Sequence, residues 1–317
     1  MREFTINQND ANQRLDKFLS KAVKKLPKNL LYKYIRLKRI KVNGKKCEIS
    51  TKLCEGDVIS LYINDEFFDE NSEKPDFMFA SSDIDIVYED ENIILLNKKC
   101  GLVVHEDNEG RYDTLINRVH RYLYEKGEYK PDTELSFAPA LCNRIDRNTS
   151  GIVICAKNAE SLRILNQKIK DRELHKKYLC ITINIPSEKS DRLTAYLEKD
   201  EKTNTVKVSD RKTNKNKTII TEYKVLKTKD RLALVDVDLI TGRTHQIRAH
   251  MAFIGCPLLG DGKYGVNKVN VSYGIKTQAL CSYYLEFDFK TEGGILSYLD
   301  GRKFQLDDVW FKEKYFG

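Results

Sequence analysis

The chain has 317 residues, 41% of them apolar, which suits about two domains whose cores need no disulfide or metal staple. Its net charge of +8, from 55 basic and 47 acidic residues, makes a polyanion a candidate partner without choosing among RNA, DNA and an anionic membrane surface. No apolar run approaches the ~18 residues of a membrane span, and the opening Met1-Arg2-Glu3-Phe4-Thr5-Ile6 has no apolar signal region.

The charge is uneven. Residues 1–63 carry 15 Lys/Arg against 6 Asp/Glu, residues 64–91 carry one lysine against 11 acids, and the remainder carries 39 against 30. Two basic blocks therefore flank an acidic stretch. In the first block Leu15, Phe18, Leu19, Ala22 and Val23 recur at helical spacing on one face. After Pro27 a second helix is predicted over residues 30–37, with Lys33, Arg36, Lys38 and Arg39 making one side basic. Ile40 and Val42 lead into Asn43-Gly44, a hairpin signal because both residues accept positive φ. Gly56-Asp57 turns into the strand Val58-Ile59-Ser60-Leu61-Tyr62-Ile63. Residues 64–83, with Asp65-Glu66, Asp69-Glu70, Pro75 and Ser81-Ser82, have the composition of an exposed acidic linker.

The second block, 84–317, reads as strands with intervening helices. Strands are predicted at 84–88, 93–97, 151–157, 175–181 and 235–239, and helices at 114–124 and 158–169. Without a regular βαβ period this is an α+β arrangement. Asp146 lies between Arg144 and Arg147 in Asn143-Arg144-Ile145-Asp146-Arg147-Asn148-Thr149-Ser150-Gly151, a loop just before an apolar strand. Cations on both sides favour its carboxylate form, which a nucleophile or general base requires. An Arg–Asp pair that merely fixes a loop would look the same.

Thr241-Gly242-Arg243-Thr244-His245-Gln246-Ile247-Arg248-Ala249-His250 follows a strand, with Thr244 the expected N-cap of a helix that Gly255 ends. Arg243, His245, Gln246 and Arg248 crowd its start. His245 and His250, five apart, point in different directions around a helix, and the eight cysteines form no C-x-x-C pair, so no metal site is expected. Those cysteines are expected to be reduced thiols in the cytoplasm. Tyr178, among Lys176, Lys177 and His175, could stack on an extruded base or simply belong to the core.

R-L-D-K-F-L, I-R-L-K-R-I-K-V-N-G-K and G-D-V-I-S-L, in that order, resemble the S-four-type RNA-binding domain over residues 12–63. The resemblance implies that the basic second helix, with Arg36 and Arg39, rests against structured RNA. N-R-I-D-R-N-T-S-G, K-K-Y and T-G-R-T-H-Q-I-R-A-H-M, with I-I-L-L-N-K-K-C-G-L-V-V-H before them and P-L-L-G-D-G-K-Y-G after, look like the RluA-type pseudouridine synthase family. That likeness implies a mixed, largely antiparallel sheet flanked by helices. It also implies a cofactor-free and metal-free isomerisation of uridine to pseudouridine in RNA. On its pattern Asp146 is the catalytic aspartate, Tyr178 contacts the base or ribose, and Arg248 pairs with the carboxylate. Arg144, on the same pattern, displaces the target base. Arg243 and His245 are expected to bind substrate because they crowd the helix start, where an anion is favoured.

Asn143 stands where the family has histidine and Lys99 where it has proline. The implied substrate is large-subunit ribosomal RNA, with transfer RNA as the alternative, and a monomer is the default. A non-catalytic RNA-binding assembly factor and a nucleotide-cleaving hydrolase are the competing classes.

Overall fold

A computed structural model describes residues 1–68, 74–106, 110, 112–200, 203 and 205–317. Residues 69–73 of the expected acidic linker lie outside the described residues.

The N-terminal unit comprises β1 (Arg2–Thr5), α1 (Leu15–Ala22), α2 (Lys28–Arg36), β2 (Ile40–Val42), β3 (Lys45–Lys46) and β4 (Val58–Leu61). Its four-stranded sheet has the order β1-β4-β2-β3. Leu15, Phe18 and Leu19 of α1 and Leu31 and Ile35 of α2 pack on Ile40, Ile59 and Leu61, as the helical spacing requires. Asn43 and Gly44, with φ of 52° and 70°, make the tight β2–β3 turn. Lys38 adopts φ 59°, and the Arg39 amide reaches back 2.9 Å to the Tyr34 carbonyl. This left-handed cap ends α2 and presents Arg36, Lys38 and Arg39 together to solvent.

The linker is less free than its composition suggests. Phe68 is buried in the N-terminal core and Phe77 in the core of the second unit, so aromatic residues among the acids anchor both ends.

The second unit begins with β5 (Ile86–Glu89), β6 (Ile93–Lys98), α3 (Leu115–Glu125), β7 (Ala140–Leu141), β8 (Ser150–Ala156) and α4 (Ala159–Lys170). It continues with β9 (Leu174–Ile183), β10 (Ser190–Asp200), β11 (Thr205–Ser209), β12 (Lys217–Lys229) and β13 (Leu232–Asp238). α5 (Gln246–Phe253), α6 (Asn267–Ser272), β14 (Leu280–Phe287), β15 (Lys303–Gln305) and α7 (Trp310–Phe316) complete it. The sheet runs β11-β10-β12-β13-β9-β14-β8-β6-β5, with β15 on β14 and β7 on β8. Its pairings are antiparallel except β8 with β14.

Both faces of the central strands are covered, which explains their unbroken apolar runs. Ile94 and Leu96 of β6 and Val153 and Cys155 of β8 pack on one face with α3 and α5. The alternate residues Ile93, Leu95, Ile152 and Ile154 pack with Leu165 of α4 on the other. The C-terminal segment, for which the sequence offered no role, covers the neighbouring strands through buried Phe311.

The two units meet along a polar seam. Asp10 is fully buried, and its Oδ1 accepts bonds from the Ser136 amide (3.0 Å) and hydroxyl (2.6 Å). Gln13 Nε2 donates to Ser136 Oγ at 2.7 Å, and Asn9 Oδ1 accepts from the Ala159 amide at the start of α4 (3.1 Å).

One close approach fixes a glycine. Gly151 has φ +112°, and a Cβ there would lie 2.6 Å from the Ser282 amide nitrogen of β14 and closer still to its carbonyl oxygen. Gly151→Ala is expected to destabilise the protein by about 2–3 kcal/mol, read from the denaturant midpoint. An unchanged midpoint would show that β8 and β14 separate freely.

Candidate active site

Asp146 sits on the loop between β7 and β8, where backbone bonds fix its direction. The Thr149 amide donates to the Asp146 carbonyl (3.0 Å), and the Gly101 amide donates to the Arg147 carbonyl (3.0 Å). The Asn143 side chain accepts from the Ile154 amide at 2.8 Å, so the asparagine that departs from the family pattern stitches the loop to β8. Lys99, the second departure, is exposed and pairs with Asp83 at 3.6 Å.

Beneath the loop lies Lys98, only 1% exposed. Its ammonium donates to the carbonyls of Arg147 (2.8 Å), Leu102 (2.8 Å) and Lys99 (3.0 Å). It thereby ties the end of β6 to the Asp146 loop. Burial pulls its pKa down to about 8, against the nearby charges of Cys100 and Asp146.

Arg248 reaches Asp146 from α5. Its Nη1 donates to Asp146 Oδ2 at 2.7 Å, while Nε and Nη2 go to Asp261 Oδ2 and Oδ1 at 2.7 and 2.9 Å. The Arg248 side chain is 7% exposed and Asp261 is wholly buried, whereas Asp146 retains 26%. Burial works against the Arg248 charge, but the bond and charge of Asp261, with Asp146, hold its pKa above the ordinary arginine value. Burial likewise opposes the Asp261 charge, and Arg248 more than reverses that, lowering the carboxyl. Asp146 Oδ1 has no hydrogen-bond partner among the described residues.

His245 turns inward. Its Nε2 lies 3.8 Å from Asp146 Oδ2, and its Nδ1 is 2.9 Å from the Tyr264 hydroxyl. Burial lowers its pKa below the usual imidazole value, with Asp146 opposing and Arg248 assisting. The ring of Tyr264 also lies under the Arg248 guanidinium, 5.3 Å from its centroid.

The expected cap at Thr244 is not formed. α5 starts one residue after His245, whose φ is 53°, and Thr244 is exposed. Gln246 organises the turn instead, its Oε1 accepting from the Arg243 amide (3.1 Å) and the Thr241 hydroxyl (2.9 Å).

Tyr178 of β9 is 7% exposed and belongs to the core beneath the site. Burial pushes its hydroxyl up to about 12, and the Asp146 charge acts in the same direction. Arg144 is exposed, without a hydrogen bond or ion pair among the described residues, and Arg243 is exposed before α5. The structure thus gathers Asp146, Arg248 and His245 by direct contact and Tyr178 through its field. Arg36 and Arg39 lie apart, on the N-terminal unit.

Three site residues escaped the sequence reading. Asp261 and Tyr264 stand inside P-L-L-G-D-G-K-Y-G, and Lys98 inside the strand motif at 93–105. The motifs marked the neighbourhood, but only the fold shows which atoms they serve. No group of three or more His, Cys, Asp or Glu able to hold a metal occurs among the described residues.

The chain that holds this geometry is similar to known proteins. A family described as RNA pseudouridylate synthase matches residues 92–253, and the S4 domain matches residues 13–59. The chain is 33% identical over 276 residues to ribosomal large subunit pseudouridine synthase C of Rickettsia bellii, covering 84% of this chain and 86% of that protein. It is 34% identical over 291 residues to ribosomal large subunit pseudouridine synthase D of Borreliella burgdorferi, covering 90% and 85%. The solved structure of human RNA pseudouridylate synthase domain containing 1 shares the fold, with TM-score 0.57 and 21% identity over 73% of this chain and 86% of that one. The chain belongs to the RNA pseudouridylate synthase family and is an RNA pseudouridine synthase that carries an N-terminal RNA-binding S4 domain.

Proposed function

We propose that this enzyme isomerises specific uridines of large-subunit ribosomal RNA, with Asp146 as the reacting carboxylate. One observation carries the reading. Asp146 is partly exposed and held at Oδ2 by a buried guanidinium, and its Oδ1 has no partner among the described residues. The ribosomal substrate follows the names of the relatives and the RNA-binding unit.

The reaction breaks the bond from uracil N1 to ribose C1′ and forms one from C5 to the same carbon. C5 loses a proton and N1 gains one, so nothing is oxidised or hydrolysed. Oδ1 of Asp146 either attacks C1′ or takes a proton from the ribose to give a glycal. In both routes Arg248 holds the other oxygen and so orients the carboxylate. Arg144, exposed on the same loop, fills the space left by the extruded base, an extrusion that costs a few kcal/mol. Tyr178 forms a mostly apolar wall under the detached ring. Its raised pKa keeps the hydroxyl protonated and able to donate. Arg243 and His245 border the substrate at the start of α5.

The eight cysteines are unpaired, which suits the reducing cytoplasm where such RNA is made.

The test is tritium release from RNA labelled at C5 of uracil, offered as unmodified ribosomal and transfer RNA in parallel. Release from ribosomal RNA is expected. Release from transfer RNA alone would overturn the substrate, and release from neither would leave an RNA-binding assembly factor as the better reading. For the N-terminal unit, Arg36→Ala with Arg39→Ala is expected to reduce the slope of log affinity against log salt by about 1.5. An unchanged slope would remove that face from the phosphate contacts.

A further inference from the structure

We infer that Asp261 is a positioning residue for the reaction, keeping Arg248 from closing on both oxygens of Asp146. The inference rests on Asp146 being the reacting carboxylate. A guanidinium presents parallel N–H pairs that match a carboxylate bidentately. Here one such pair, Nε and Nη2, is spent on Asp261, which leaves Nη1 to grip Asp146 through Oδ2 alone. Freed of Asp261, the guanidinium could rotate and take both Asp146 oxygens, tying up the one that must react.

Asp261 is built as a fixed post. It is fully buried, and its Oδ1 also accepts the amides of Lys263 (2.8 Å) and Tyr264 (3.1 Å) two and three residues on. Its carbonyl accepts from Asn270 Nδ2 (3.1 Å), and the Asn270 Oδ1 accepts the preceding Gly260 amide (2.8 Å). Gly260 itself has φ +81° and packs against the Thr277 carbonyl, leaving no room for a side chain. The Tyr264 ring closes the face of the guanidinium. This scaffold exceeds what neutralising one arginine needs, since Asp146 already supplies a countercharge. What it adds is direction.

The test compares full-length Asp261→Asn, Asp146→Asn, Arg248→Lys and the Asp261→Asn/Arg248→Lys double variant, with 5-tritiated ribosomal RNA under single-turnover conditions. Asp261→Asn is expected to slow the maximal rate about 10²-fold, the scale of an ångström misplacement, at unchanged RNA affinity. The double variant is expected to be no slower than Arg248→Lys alone, because Asp261 acts only through the arginine fork. A wild-type rate in Asp261→Asn beside an inactive Asp146→Asn would overturn the inference while sparing the aspartate. An active Asp146→Asn would instead overturn the reading on which the inference rests. Should Asp261→Asn not fold, Asp261→Glu, which keeps the charge but displaces it by a methylene, is expected to show the same loss in rate without loss in affinity. Failure of both to fold, or additive losses in the double variant, would make Asp261 merely structural.

Discussion

Asp146→Asn is expected to lower tritium release about 10⁴-fold or more while RNA affinity stays within about twofold of wild type. The expectation follows from the difference between an amide and a carboxylate in an otherwise unchanged frame. Asparagine Oδ1 can still accept from Arg248 Nη1, and Asp261 still compensates the guanidinium, so no uncompensated cation is left in the interior. The backbone bonds from Gly101 and Thr149 do not involve the side chain. The variant therefore folds and binds, but its neutral amide can neither attack the anomeric carbon nor accept a ribose proton. Filter binding and single-turnover release measured side by side check both halves. A near-wild-type rate would remove Asp146 from the chemistry.

The second large effect belongs to a residue that does not touch the substrate. Lys98→Met removes three charge-assisted bonds and leaves the Arg147, Leu102 and Lys99 carbonyls without that donor. The expected destabilisation is about 2–4 kcal/mol, read as a lower denaturant midpoint. Turnover should fall as well, because the Asp146 loop loses its strap to β6. The wild type carries a pH signature of the same bond set. With burial holding Lys98 near 8, rising pH leaves an amine with two hydrogens for three carbonyls. Turnover should therefore decline above about pH 8, the decline being absent from Lys98→Met. Parallel alkaline limbs in both proteins would exclude Lys98 as its source.

Local signals carried much of this architecture. The i, i+3, i+4 spacing of Leu15, Phe18 and Leu19 located α1, and the unbroken run Ile93–Leu96 located a strand buried on both faces. Asn158 caps α4, accepting the Ser161 amide at 2.8 Å. Asp146 and Arg248 were legible through motif order, although 102 positions separate them. What stayed hidden depends on three-dimensional closure. Asp261 looks like an ordinary turn former until α5 brings Arg248 over it. The left-handed His245 follows from the Gln246 side chain folding back on residues 241–243, which made Thr244 a false cap. Lys98 reads as one more surface lysine in a basic chain, and its three carbonyls come from segments up to 49 residues apart.

The polar seam between the two units makes the enzyme resemble a caliper. Ser136, gripped by Asp10 and Gln13, lies on the strand of chain that runs through β7 into the Asp146 loop. On the proposed function, an RNA helix seated on the arginines at the end of α2 would be registered against Asp146 through these hydrogen bonds. Such a jaw would select by span. Uridines at one offset from the seated helix would then meet the cleft, and identical bases elsewhere on the same RNA would fall outside its reach.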